Sequence, residues 1–220
     1  MSVTDSGSHA ALMDGVYRWQ RHIYDATRKY YLLGRDRLIE SLDVPKGGTV
    51  LEVACGTGRN LALAGRRYRD ARLFGLDISA EMLETATDTM QRRDLIGRAR
   101  LAEADATGFD AMRLFGYRAF DRVFISYSLS MIPDWRQAVR AALAATANGG
   151  QLHIVDFGRQ ERLPGWFMSL LRGWLARFHV TPRDDLREVL ESECEAIGAS
   201  LEFDSIFRGY AVIARIRKPR

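Results

Sequence analysis

From Thr49 onward, short apolar runs alternate with amphipathic stretches along the chain. The runs Thr49–Ala54, Arg72–Leu76, Arg100–Glu103, Phe120–Ser126 and Gln151–Val155 are rich in β-branched and other apolar residues, as buried strands are. Between most of them, Arg59–Arg67, Ser79–Arg92 and Asp134–Ala147 carry apolar residues at helical spacing. Such alternation predicts a parallel sheet with crossover helices, an α/β architecture. The tail is different. Ser200–Phe207 and Tyr210–Arg217 are two extended runs joined at Arg208–Gly209, the pattern of a tight hairpin. Upstream, Met13–Leu42 reads as helical with a break at Gly34, and Pro45 with Gly47–Gly48 marks a loop. The first dozen residues are small and polar and read as a frayed end. There is no internal repeat and no low-complexity segment.

Composition narrows the class. With 220 residues, 47% hydrophobic and 27% charged, the chain suits one globular domain with a full core. No run of 18 or more apolar residues is present to span a bilayer, and no signal-like leader opens the chain, so a cytoplasmic protein is expected. Cys55 and Cys194 are too few for a disulfide scaffold or a four-cysteine metal site, and no metal cluster is apparent. The formal charge is +4, and all but three of the 32 basic residues are arginine. That surplus reflects either coding bias or a use for arginine's planar fork in binding phosphate or carboxylate.

The most specific motif is Val50-Leu51-Glu52-Val53-Ala54-Cys55-Gly56-Thr57-Gly58-Arg59-Asn60. It is a buried strand, a glycine loop and a helix start, which aims free backbone N–H groups at the crevice where open α/β sheets bind ligands. Leu61 occupies the third glycine position of a dinucleotide fingerprint, and no Gly-Lys pair supplies a phosphate loop. Asp77 ends the next strand 21 residues after Gly56, the separation of a carboxylate that accepts both hydroxyls of a ribose. Asp105 closes the third run similarly. Three acids at successive strand ends suit an adenosine-type ligand carrying a cation; otherwise they are helix caps and turn residues.

These residues and the closing hairpin resemble a class I S-adenosylmethionine-dependent methyltransferase over about 46–217. The resemblance implies a Rossmann-like seven-stranded sheet of order 3-2-1-4-5-7-6 with strand 7 antiparallel. It implies that Glu52 holds the methionine amine, Asp77 the ribose and Asp105 the adenine amine. Tyr31, Ala54, Gly56, Thr57, Gly58, Asn60, Ile78, Met82, Ala106 and Ser126 complete the expected cofactor set, with S-adenosylhomocysteine as the product. Ala54 departs from the family, which carries glycine there.

The acceptor is read from other segments. The residues after the fourth strand, Phe124 to Trp135, lack the [ND]-P-P-[FY] turn of exocyclic-amine nucleic-acid methyltransferases and a Pro-Cys nucleophile, so nucleic acid is not expected. Tyr17 to Ile39 resembles the opening of bacterial enzymes that N-methylate diacylglyceryl-homoserine to a betaine lipid, and phospholipid N-methyltransferases are similar. That resemblance implies a lid over residues 1–45 on a methyltransferase domain of 46–220, with Tyr24 and Tyr31 against the cofactor. It also implies a membrane-lipid amine as acceptor. Phosphatidylethanolamine, a small molecule or quinone, and cofactor binding without catalysis are the alternatives. Tyr127, at the end of the fourth strand, is the candidate to hold the amine, with Tyr210 and Trp135 as pocket walls. Arg28 or Arg35 would take a headgroup carboxylate or phosphate. His153 reads as a packed strand residue rather than a base.

One segment carries the net charge. Between Phe157 and Arg183 there are five arginines (159, 162, 172, 177, 183) and one acid, Glu161. Within it, Trp166, Phe167, Met168, Leu170, Leu171, Trp174, Leu175 and Phe178 fill one broad arc of a helix, with Arg172 opposite and Arg177 at its edge. An aromatic face bordered by arginine predicts a helix in a membrane interface, an insertion at about 160–182 that would hold the protein at the anionic inner membrane surface. A pocket cover or a dimer contact would bury the same face.

Overall fold

The computed structural model describes residues 32–177 and 180–220, excluding the side chains of Phe167, Arg172 and Ala176. Seven strands form one sheet: β1 (Thr49–Val53), β2 (Arg72–Asp77), β3 (Ala99–Glu103), β4 (Phe120–Ser126), β5 (Thr146–Phe157), β6 (Ser200–Ile206) and β7 (Ala211–Arg217). Their order is β3-β2-β1-β4-β5-β7-β6. Every pairing is parallel except those of β7 with β5 and β6, as the sequence predicts. The helices among the described residues are α1 (Arg35–Glu40), α2 (Arg59–Arg67), α3 (Ala80–Arg92), α4 (Ala111–Phe115), α5 (Trp135–Ala144), α6 (Gly165–Ala176) and α7 (Leu186–Ile197). Gly34–Arg220 forms one compact unit.

Helices on both faces leave the central strands without a wet side. All five residues of β1 are buried, and so is the run from Leu73 to Leu76 of β2. Phe74, Phe115 and Phe120 meet edge-on or tilted with centroids 5.0–6.1 Å apart in the core. Each such ring contributes on the order of 2–3 kcal/mol by leaving water. His153 is fully buried in β5 with Nε2 3.0 Å from Gln151 Oε1, and burial drops its pKa to about 3, so it is a packing residue.

The boundaries differ from the sequence reading where glycine hid a strand. β5 begins at Thr146, because Phe120 pairs with Thr146 and the next register pair is Arg122 with Gln151. The intervening segment bulges, with Gly149 at φ 72°. The hairpin is a wider turn than the sequence suggests: Phe207, Arg208 and Gly209 all have positive φ between the strand ends. α4 and α7 are additional to the predicted helices. α7 buries Leu186, Leu190 and Cys194, a spacing of four legible in the sequence, and ends at Gly198 in the left-handed region.

Gly34, where the sequence reading puts a break, is the N-cap of α1. It has φ 87°, and a Cβ there would lie 2.7 Å from Ile206 Cδ1. The sequence reading puts a domain boundary near residue 45, yet α1 packs with α2 in the same unit as the sheet. Residues 1–31, with Tyr24, Arg28 and Tyr31, lie outside the described residues, as do Phe178 and His179.

Candidate active site

The site lies at the carboxyl ends of β1, β2, β4 and β5. After β1 the chain turns sharply: Ala54, Gly56 and Gly58 have φ of 56°, 53° and 73°. Gly58 is the N-cap of α2, and a Cβ there would meet Met90 Cε at 3.0 Å and Ala86 Cβ at 3.1 Å. A side chain there would have to push α3 back by a few tenths of an ångström and adopt a left-handed φ. Ala54 holds the same left-handed backbone despite its methyl, at a cost of about 1–2 kcal/mol. The family's glycine would avoid that strain.

Glu52 is 1% exposed. Asn60 Nδ2 donates to its Oε1 at 3.0 Å, while Oε2 is buried with no hydrogen-bond partner. Burial pushes its pKa up to about 8, and the charge of Asp77 adds to that rise; Asn60 and the charge of Arg35 oppose it. Arg35 is itself only 8% exposed, so it is not a solvated helix charge. A buried carboxyl oxygen without a partner, which ionises once a cation is set against it, and the buried guanidinium whose charge it feels suit the two ends of an amino acid.

Asp77 is the hinge of the loop. Gly56 N donates to its Oδ2 at 2.8 Å and Ser79 N to its Oδ1 at 3.0 Å. A carboxylate has lone pairs for further acceptance, so these bonds orient it and leave capacity for a diol. Ile78, beside it, is 69% exposed, an apolar surface suited to a flat base. Met82 is half-buried, and its N–H is capped by Ser79 Oγ at 3.3 Å. Asp105 is exposed and turned onto its own loop, where Thr107 N and Oγ1 both donate to Oδ1 at 2.8 Å. These local bonds hold its pKa below the usual carboxylate range and leave Oδ2 for a ligand. Ala106 is buried behind it, and Thr57 is half-buried in the glycine loop.

Beyond this cradle stands an aromatic ladder. Tyr127 follows β4 directly with φ 56°, a strained conformation for a bulky residue. Its ring lies 4.8 Å from that of Phe157 at the end of β5, and Phe157 lies 5.9 Å from Tyr210. All three are buried, and burial raises the hydroxyl pKa of Tyr127 and takes that of Tyr210 to about 12. Asp156, also buried, accepts from Phe157 N at 2.8 Å and Ser130 N at 3.2 Å, and desolvation lifts its pKa to about 6. The sequence reading missed Asp156 and Phe157, although Asp156 sits near the end of its strand as Glu52 and Asp77 do. Trp135 belongs to the core instead, 3% exposed at the start of α5 with Arg136 against its ring.

A separate open cleft of about 930 Å³ runs past α2 and the turn before β3, rimmed by Arg59, Arg66, Arg67, Arg69, Arg93 and Arg98. Arg98 there donates to the carbonyls of Gly65, Tyr68 and Ala71 at the end of α2, which accounts for a cation at that position. Among the described residues no cluster of three or more potential metal ligands occurs.

The sheet order, the glycine loop and the acids at the ends of β1 and β2 define a class I S-adenosylmethionine-dependent methyltransferase. Residues 50–150 match the family described as a methyltransferase domain. A demethylmenaquinone methyltransferase of Listeria monocytogenes is 31% identical over 145 residues, covering 63% of this chain and 56% of that protein. One from Thermobifida fusca is 32% identical over 165 residues, covering 70% and 66%. The match thus spans little more than half the length of the Listeria relative. A geranyl diphosphate C-methyltransferase from Streptomyces coelicolor, solved with S-adenosyl-L-homocysteine, shares the fold with a TM-score of 0.67 at 12% identity, covering 84% of this chain and 74% of that one.

The residues present fit that cofactor. Glu52 Oε2 and Arg35 suit the methionine ammonium and carboxylate, Asp77 the ribose, and Ile78 with Asp105 the base.

Proposed function

We propose that this chain methylates a quinol-type aromatic acceptor, with S-adenosylmethionine as the donor. The observation that carries this reading is the ladder of Tyr127, Phe157 and Tyr210 beside the cofactor loop. Packed edge to face and nearly closed to solvent, these rings form a rigid apolar wall against which an aromatic acceptor can be aligned, and the relatives named for demethylmenaquinone agree with it. Those names favour an acceptor of this kind over the lipid amine expected from the N-terminal segment.

A sulfonium methyl is already activated, so the protein's contribution is alignment and exclusion of water. Transfer forms a bond from an electron-rich ring carbon to the methyl, breaks the sulfur–methyl bond, and releases the ring proton. The ladder would hold the ring plane. Tyr127, its hydroxyl pKa raised by burial, stays a neutral donor across the physiological range. A methyl-transfer assay with labelled cofactor tests the reading: a prenylated naphthoquinol should be methylated and amine-bearing lipids should not. Transfer to the lipid amine alone would reverse it.

We further propose that α6 seats the protein on an anionic bilayer. Only part of the apolar arc expected from the sequence is available, because Leu171 and Leu175 are buried. Trp166 and Leu170, at 73% and 66% exposure, share a stripe with exposed Arg177, and Arg162 is exposed just upstream. Arg159 is engaged with Glu188, and Arg183 donates to the carbonyls of Leu129 and Ile132. Two available arginines give about thirtyfold tighter binding to anionic than to neutral vesicles at low salt. Co-sedimentation should therefore fade with salt, and Trp166→Ala with Leu170→Ala should abolish it; salt-independent binding would contradict the assignment. No helix among the described residues is long and apolar enough to cross a membrane.

A further inference from the structure

Gln160 is fully buried, yet neither its Oε1 nor its Nε2 has a hydrogen-bond partner. Folding rarely leaves both ends of an amide unpaired, because each orphaned group keeps its desolvation penalty. The backbone around it is also held in an unfavourable shape, with φ 62° at Gln160 itself. That shape is imposed by its neighbours. Gln160 N donates to Gly209 O at 2.8 Å and Gly158 N to Tyr210 O at 2.9 Å, which stitches the loop after β5 to the β6–β7 turn. Gly158 must be glycine here, since a Cβ would lie 2.3 Å from Gly209 O. Gln160 thus occupies the loop that leaves the aromatic ladder, three residues beyond Phe157 and tied to the residue before Tyr210.

It is not alone. The hydroxyls of Ser126, the last residue of β4, and Ser128, in the loop that follows, flank Tyr127 and are buried without a partner as well. The unpaired polar side-chain atoms of these two loops are all uncharged, and both hydroxyl and amide can donate and accept. They match a neutral oxygen that changes between hydroxyl and carbonyl, and they bring no charge to offset that of an ammonium or a phosphate.

We propose that the Gln160 amide, supported by Ser126 and Ser128, forms a subsite for a ring oxygen of the acceptor and so sets which ring carbon meets the methyl. The inference rests on the quinol reading and adds the residue that would orient the ring. The ring oxygen completes the amide's hydrogen bonding when the acceptor binds, which explains why the amide is unsatisfied without it.

Gln160→Met separates this role from a structural one, since it keeps the unbranched shape and removes both hydrogen-bonding groups. The variant should melt at the wild-type temperature or about 2–4 °C higher without ligands, because an unpaired group has been removed. Its KM for the prenylated naphthoquinol should rise about tenfold or more, with the KM for S-adenosylmethionine unchanged. Gln160→Leu, which removes both the donor and the acceptor, should also raise the acceptor KM. A melting temperature lowered by 4 °C or more in Gln160→Met would make the amide structural and overturn the proposal. An unchanged acceptor KM would overturn it equally, and would mean that buried water satisfies the amide. Turnover of the naphthoquinol by wild type reports on the acceptor reading alone, whereas the variant-to-wild-type ratio and the melting temperature report on Gln160.

Discussion

Cofactor-free Glu52→Gln should melt several degrees above wild type at pH 8 and bind S-adenosylmethionine at least tenfold more weakly. Both effects follow from one buried carboxyl. Its pKa is about 8 in the folded protein against 4.5 for the unperturbed group. The folded state therefore holds a proton that the unfolded state releases. The stability linked to that proton is fully present below pH 4.5 and is lost as pH rises through 8, a loss on the order of 3–5 kcal/mol. Glutamine removes the titration and keeps the side chain beside Asn60. Cofactor binding runs the other way. An ammonium set against Glu52 Oε2 lowers the carboxyl pKa, so binding expels the proton. Affinity should then weaken as pH falls from 7.5 to 6, by up to about tenfold per unit. Calorimetric titration across that range tests this; a flat wild-type profile, or a Gln variant with the same slope as wild type, would contradict it.

Asp77→Ala should lose more than tenfold in cofactor affinity and also destabilise the fold by about 2–4 kcal/mol, because two backbone donors lose their acceptor. Gly56 N and Ser79 N both bind this carboxylate, so the side chain shapes the loop in addition to the ribose contact proposed for it. Asp77→Asn separates the two contributions: it retains an acceptor and should recover much of the stability with less of the affinity. Thermal melts beside calorimetry provide the check. Full affinity in the alanine variant would remove Asp77 from the cofactor site.

The cofactor half of the site was legible in sequence because it is local. Glu52, Gly56 and Gly58 are contiguous, and Asp77 follows at a separation fixed by one strand–helix–strand unit. The acceptor half was not. Phe157 meets Tyr127 and Tyr210 only because β4, β5 and β7 lie side by side, and Gln160 is tied by its backbone to Gly209, in a turn some 50 residues later. α6 shows a related limit. Periodicity gave a helix, but Trp166 and Leu171 are both apolar, and only the packed fold determines which side is buried. Arg35 reads in sequence as one charge among many; its burial beside Glu52 comes from α1 packing on the sheet unit after Gly34.

The candidate cofactor cradle and the proposed acceptor subsite, with its aromatic and neutral polar groups, are neighbours at the strand ends. The central claim is that methyl transfer occurs at a ring carbon of a quinol. The direct measurement is product analysis by carbon-13 NMR after incubation with methyl-labelled S-adenosylmethionine and a prenylated naphthoquinol kept reduced. The account predicts a methyl bonded to ring carbon; label on oxygen or on a lipid nitrogen, or no transfer to the naphthoquinol, would contradict it.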